Sequence, residues 1–150
     1  MDNFLFDVEQ SKVSYVLKSL VLILIIAIPV AELVLFLIPH ATLPNWDLGS
    51  PVFIFSAILL GPAIETLLML LIFKVISYFT SKLITSCVIS ALVWAALHSM
   101  INVPIHGIVI FPSFLIYSIA FKVWDEVSRE SALLITASIH MLNNMAVFFL

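Results

Sequence analysis

The chain has 150 residues, 63% of them hydrophobic and 10% charged, with a mean hydropathy of +1.25. That composition excludes a soluble globular domain and places the chain in a lipid bilayer. The net charge of -3 comes without any block of like charges, which removes nucleic acid from the list of partners.

An apolar helix needs about 20 residues to cross the roughly 30 Å hydrocarbon layer, so this length holds five or six crossings and leaves no room for a second domain. Residues 1–150 therefore read as a single all-α transmembrane bundle. The acidic stretch Met1 to Gln10 has no positive n-region, and the apolar run after it reads as a retained span. That first span runs from about Val13 to Ile38, with Pro29 as an expected kink. His40 to Ser50 is a loop, in which Trp46 fits an interfacial anchor. Span two covers about Pro51 to Phe73, Lys74 to Lys82 connects, and span three covers Leu83 to Ile101, broken by Asn102-Val103-Pro104. Ile105 to Phe121 makes span four, Lys122 to Glu130 carries five charges in nine residues, and Ser131 to Leu150 makes span five. Cys87 is the single cysteine, which excludes an intrachain disulfide and a multi-cysteine metal site and leaves a packing role.

Short loops rich in Lys and Arg stay cytoplasmic. With the N-terminus inside, Lys12, Lys18, Lys74, Lys82, Lys122 and Arg129 all fall at cytoplasmic ends, and the opposite loops hold none. The expectation is five spans, N-terminus in and C-terminus out, in a cell membrane and most simply a prokaryotic inner membrane.

A carboxylate or imidazole at bilayer depth costs several kcal/mol and needs a partner or a purpose. Glu65 lies about 14 Å from Lys74 along its span at 1.5 Å per residue. His140 lies about 15 Å beyond Glu130, with Asn144 one turn further on the same face. His98 sits deeper, about 24 Å beyond Lys82, so span three must tilt or start lower for it to join them. Each alone can serve as an interhelical contact. Three helices each offering an ionisable group point instead to one polar cavity, which the depths of Glu65 and His140 place nearer the cytoplasmic half. In such a cavity a carboxylate can act as general base on a water, while imidazoles and a carboxamide orient that water and stabilise an oxyanion. Glu32 in span one is a structural partner or part of the substrate route, and reads first as structural. His40 and His106 fall at external span ends, where water satisfies them, and stay outside the site. Ser131, Thr136 and Ser138 read as helix-packing hydroxyls.

Three segments in order resemble the motifs of the CPBP (CAAX protease and bacteriocin-processing, or Abi) family of intramembrane proteases. Gly61-Pro62-Ala63-Ile64-Glu65-Thr66 looks like its first motif, Trp94-Ala95-Ala96-Leu97-His98 like its aromatic-x-x-x-His motif, and His140-Met141-Leu142-Asn143-Asn144 like its His-x-x-x-Asn motif. The resemblance implies an intramembrane endopeptidase in which Glu65 activates the hydrolytic water and His98, His140 and Asn144 orient it and stabilise the tetrahedral intermediate. Thr66 stands where the family has a second glutamate and Leu70 where it has an arginine.

No cofactor and no metal are expected: a glutamate serving as ligand would leave no general base, and there is no His-Glu-x-x-His helix. The expected partners are membrane lipid, a peptide or protein substrate, and a membrane partner or second copy; a partner or the lipid itself presents the substrate. Two alternatives stay open, a zinc-dependent intramembrane protease and a catalytically inactive immunity or scaffold protein. A small proton path or transporter ranks below them, for want of paired inverted repeats.

Overall fold

The computed structural model describes residues 3–41 and 49–149, the side chain of residue 149 excepted. Trp46, read above as an interfacial anchor, lies outside the described residues together with most of its loop. Five helices are long and apolar enough to cross a membrane: α1 (Lys12–Leu37), α2 (Pro51–Ile76), α3 (Leu83–Ile101), α4 (His106–Asp125) and α5 (Arg129–Phe149). No strand occurs among the described residues. The chain is a multi-pass, all-α membrane protein.

The helix ends follow from local chemistry. Ser11 caps α1 by accepting from the Ser14 N–H, Ser50 caps α2 by accepting from Phe53 N–H just before Pro51, and Ser128 accepts from Ser131 N–H ahead of α5. Pro39 and Pro104 follow the ends of α1 and α3, where a ring without an N–H cannot continue the ladder. At Pro29 the helix carries on, and α1 is one element to Leu37. Charged residues were expected to belong to connections, yet α2 extends past Lys74, α4 past Lys122 and α5 begins at Arg129. A helix that projects beyond the hydrocarbon keeps its backbone bonds and puts its charges in water.

Helix α4 is the centre of the bundle, with 61% of its apolar stretch buried against 11% in α1. Its residues Phe114, Tyr117, Ala120, Phe121 and Trp124 form the heart of the core with Met69, Phe73, Ala91, Trp94, Ile135 and Ile139. Cys87 is buried among them. Helices α3 and α4 approach closely because Gly107 has no side chain: a Cβ there would collide with the Ala95 carbonyl oxygen and Ser99 Oγ. Ser118 Oγ donates to Ser90 Oγ at 3.0 Å across the same pair, and Ser99 Oγ donates to the Pro104 carbonyl at 2.8 Å to close the turn between them. Small residues at a crossing are the usual device in lipid, where packing rather than water expulsion draws helices together.

One end of the bundle gathers the charges. Lys12 Nζ donates to Ser131 Oγ at 2.8 Å and lies over the Trp124 ring, Lys122 lies over Phe73, and Arg129 pairs with Asp125 at 2.6 Å. Ser131 thus bonds a facing helix, as its sequence position indicated.

Candidate functional site

The local irregularity of α2 sets the stage. Around Ser56–Leu60 its hydrogen bonding widens to a π turn, and the Gly61 N–H reaches back to the Ser56 carbonyl. In that register the next donor, residue 62, would serve the carbonyl of Ala57. It is a proline and has no N–H. Asn144 on α5 fills the gap, its Nδ2 donating to the Ala57 oxygen at 2.8 Å. Such single-turn π bulges recur at functional sites because they re-aim the side chains that follow. Here the next turn carries Glu65.

Glu65 meets two imidazoles from two other helices. His98 Nε2 on α3 stands 3.8 Å from Glu65 Oε1, and His140 Nε2 on α5 stands 3.9 Å from Oε2. Both separations exceed a direct hydrogen bond. His98 Nδ1 lies 3.0 Å from the Trp94 carbonyl, an acceptor only, so Nδ1 donates and a neutral ring keeps its Nε2 lone pair for the cavity. That i–4 contact explains the spacing of an aromatic residue four positions before the histidine: the Trp94 carbonyl holds the imidazole while its ring stacks on Phe114 at 5.1 Å. His140 is 4% exposed, sandwiched against Tyr117 at 4.5 Å and edge-on to Phe114 at 5.4 Å. Neither His140 Nδ1 nor Glu65 Oε2 has a hydrogen-bonding partner among the described residues.

All four residues singled out in the sequence line one cavity of about 470 Å³ inside the bundle. The deeper position of His98 does not keep it away; α3 is offset along the bundle so that its last turn reaches Glu65. Asn144 lines the cavity too, but one of its amide hydrogens is committed to Ala57. The cavity contains groups that the sequence reading left out. His106, expected at a watered span end, is only 8% exposed, lines the cavity, and has its ring 5.8 Å from that of His98. Gly107 is the reason: the tight α3–α4 contact draws the start of α4 against α3. Tyr117, Ser113 and Asn143 line it as well. Their signal was present in the spacing, since His106, Ser113 and Tyr117 share one face of α4, and Asn143 follows His140 at i+3.

Glu65 and His140 sit near the middle of their helices, and the cavity extends from there away from the lysine end, not into the half that the depths indicated. Its walls come from the last two turns of α3, the first three of α4, the last three of α5 and the middle of α2, so that it extends toward the end remote from the lysines and Arg129. Distances counted from one end along single helices missed the offset of α3. Glu32 is exposed on α1 and does not line the cavity. His40 is also exposed. Among the described residues no three His, Cys, Asp or Glu side chains gather closely enough to hold a metal ion.

Comparison of the chain with family models, with curated proteins and with solved structures returns no match.

Proposed function

We propose that the chain is an intramembrane endopeptidase of the glutamate-dependent type, resembling the CPBP proteases, and that it acts in a prokaryotic cell membrane. The observation that carries this reading is one carboxylate flanked by two imidazole Nε2 atoms, on separate oxygens, in a cavity inside a membrane bundle. A water between Glu65 Oε1 and the neutral His98 donates one hydrogen to each, and its lone pairs then face the cavity. It adds to the carbonyl carbon of a peptide as its proton passes to Glu65. The oxyanion forms beside His140, and collapse breaks the C–N bond as Glu65 returns the proton to the leaving amine. Asn144 holds α5 to the π turn of α2 and so positions His140 against Glu65.

Thr66 and Leu70 take the places of the family's second glutamate and arginine, and Thr66 is buried in the packing at 2% exposure. That feature favours the second reading, a non-catalytic membrane partner that keeps the polar cluster for helix contact. Purified protein offered membrane peptides separates the two. Loss of a general base costs about 10²–10⁴-fold in rate, so Glu65→Gln should abolish cleavage while expression and helix content stay the same. Equal cleavage by both proteins would discard the glutamate mechanism, and unchanged biological function of the variant would favour the scaffold. Activity is expected to survive chelators; one zinc per purified chain would move the reading to a metalloprotease.

A further inference from the structure

Two properties of the cavity have the same polarity along the bundle. The chain has six Lys and Arg residues, and all six sit at one end: at the starts of α1, α3 and α5 and the ends of α2 and α4. Contacts bind that end together, from Lys12 on Ser131 to Lys122 over Phe73. The cavity reaches from the middle of α2 and α5, where Glu65 and His140 sit, toward the other end. His98 is within one turn of the end of α3, His106 opens α4, and the turn between them, residues 102–105, contributes Asn102 to the cavity wall. No Lys or Arg lines the cavity among the described residues. Around its acid and imidazole floor the walls are apolar, formed by Leu68, Leu97, Ile101, Ile110 and Val147, of which Leu68, Leu97, Ile101 and Val147 are also exposed at the bundle surface.

Cationic loops stay on the cytoplasmic side, so from the placement of the cavity at the cation-free end we infer that the site opens to the extracytoplasmic half of the membrane, and that its substrate is a short, extended, uncharged stretch of a peptide that has already crossed and lies in the outer leaflet. The substrate part of this inference rests on the hydrolase reading; the sidedness does not. A cavity of about 470 Å³ is the size of a small-ligand site and takes a few residues of unwound chain, not a helix. The chemistry of the walls narrows the substrate further. A free C-terminal carboxylate at the scissile bond would find no cation in the cavity and would face Glu65, so the bond cut is an internal one.

Single-cysteine variants on a Cys87→Ala background test the sidedness without any need for activity. In intact cells a membrane-impermeant thiol reagent should label Asn102→Cys, at the cavity mouth, and leave Ser81→Cys, in the α2–α3 connection, untouched until the membrane is permeabilised. His106→Cys, inside the cavity, should be labelled from outside by a small impermeant reagent. Labelling of Ser81→Cys alone from outside, or of His106→Cys only after permeabilisation, would overturn the inference. If His106→Cys does not accumulate, Asn102→Cys and Ser81→Cys still decide the direction. In sealed vesicles of known orientation, cleavage of an internal-bond peptide supplied to the outer face supports the substrate part. Cleavage only from the cytoplasmic face would overturn the inference and leave the hydrolase standing, whereas correct labelling without any cleavage would remove the hydrolase and leave the sidedness.

Discussion

At the scale of single residues, Asn144 serves the fold of the cluster in which Glu65 is the proposed general base. The Ala57 carbonyl, half-buried in the cavity wall, has lost its helical donor to Pro62. Asn144 supplies the donor at 2.8 Å. Leaving a buried acceptor unsatisfied costs about 1–3 kcal/mol, so Asn144→Leu should lower resistance to unfolding in detergent by that order. Asn144→Asp should cost at least as much, because a carboxylate oxygen would face a carbonyl oxygen. Unfolding titrations of the two variants against the parent check this. A variant with leucine here that unfolds like the parent would mean that the bond contributes nothing. The His-x-x-x-Asn spacing was visible in the sequence. That the asparagine serves a π turn on another helix was not, because the need arises from a proline far away in the chain.

At the scale of elements, the contact between α3 and α4 decides where the third imidazole goes. The five spans could be read from apolar runs and breakers, and the boundaries of α3 at Leu83 and Ile101 came out as read, since Lys82 and Asn102-Val103-Pro104 flank it sharply. The offset of α3 and the burial of His106 could not be read in the same way. Both depend on how closely two helices approach, which a single glycine controls and no hydropathy profile records. A β-branched residue at 107 would push into the Ala95 carbonyl and Ser99 Oγ, atoms of a helix backbone and a hydrogen-bonded turn that cannot both yield. Overpacking of this kind costs about 1–3 kcal/mol, or more where backbone must move. Gly107→Val should therefore destabilise the bundle and, by separating α4 from α3, move His106 and Phe114 away from His98. In the proposed enzyme it should reduce turnover beyond what the lost stability explains, with Gly107→Ala intermediate. Retained cleavage in a folded Gly107→Val protein would show that the α3–α4 spacing does not set the site.

For the whole molecule, the division of labour runs along the bundle and across it. Helices α2 to α5 enclose the cavity, and no residue of α1 lines it among the described residues. Helix α1 is docked mainly at the charged end. There Tyr15, Val16, Ser19 and Ile23 are buried, Tyr15 donates its hydroxyl to the Leu5 carbonyl at 3.0 Å, and its ring meets Trp124 edge-on at 5.4 Å. Beyond Ile23 only Val34 is buried on α1. A large aromatic cut back to alanine in a soluble core costs about 3–5 kcal/mol, the sum of a transfer term and a cavity term. In lipid the transfer term between helix and surroundings is largely missing, because acyl chains are as apolar as the core. Tyr15→Ala should then fall below that range and loosen α1 alone. Cysteine cross-linking between the starts of α1 and α5 should weaken, while the proposed cleavage at the Glu65 site persists. A loss of activity as complete as that of Glu65→Gln would show instead that α1 holds the cavity in shape from outside it, and that the bundle works as one unit.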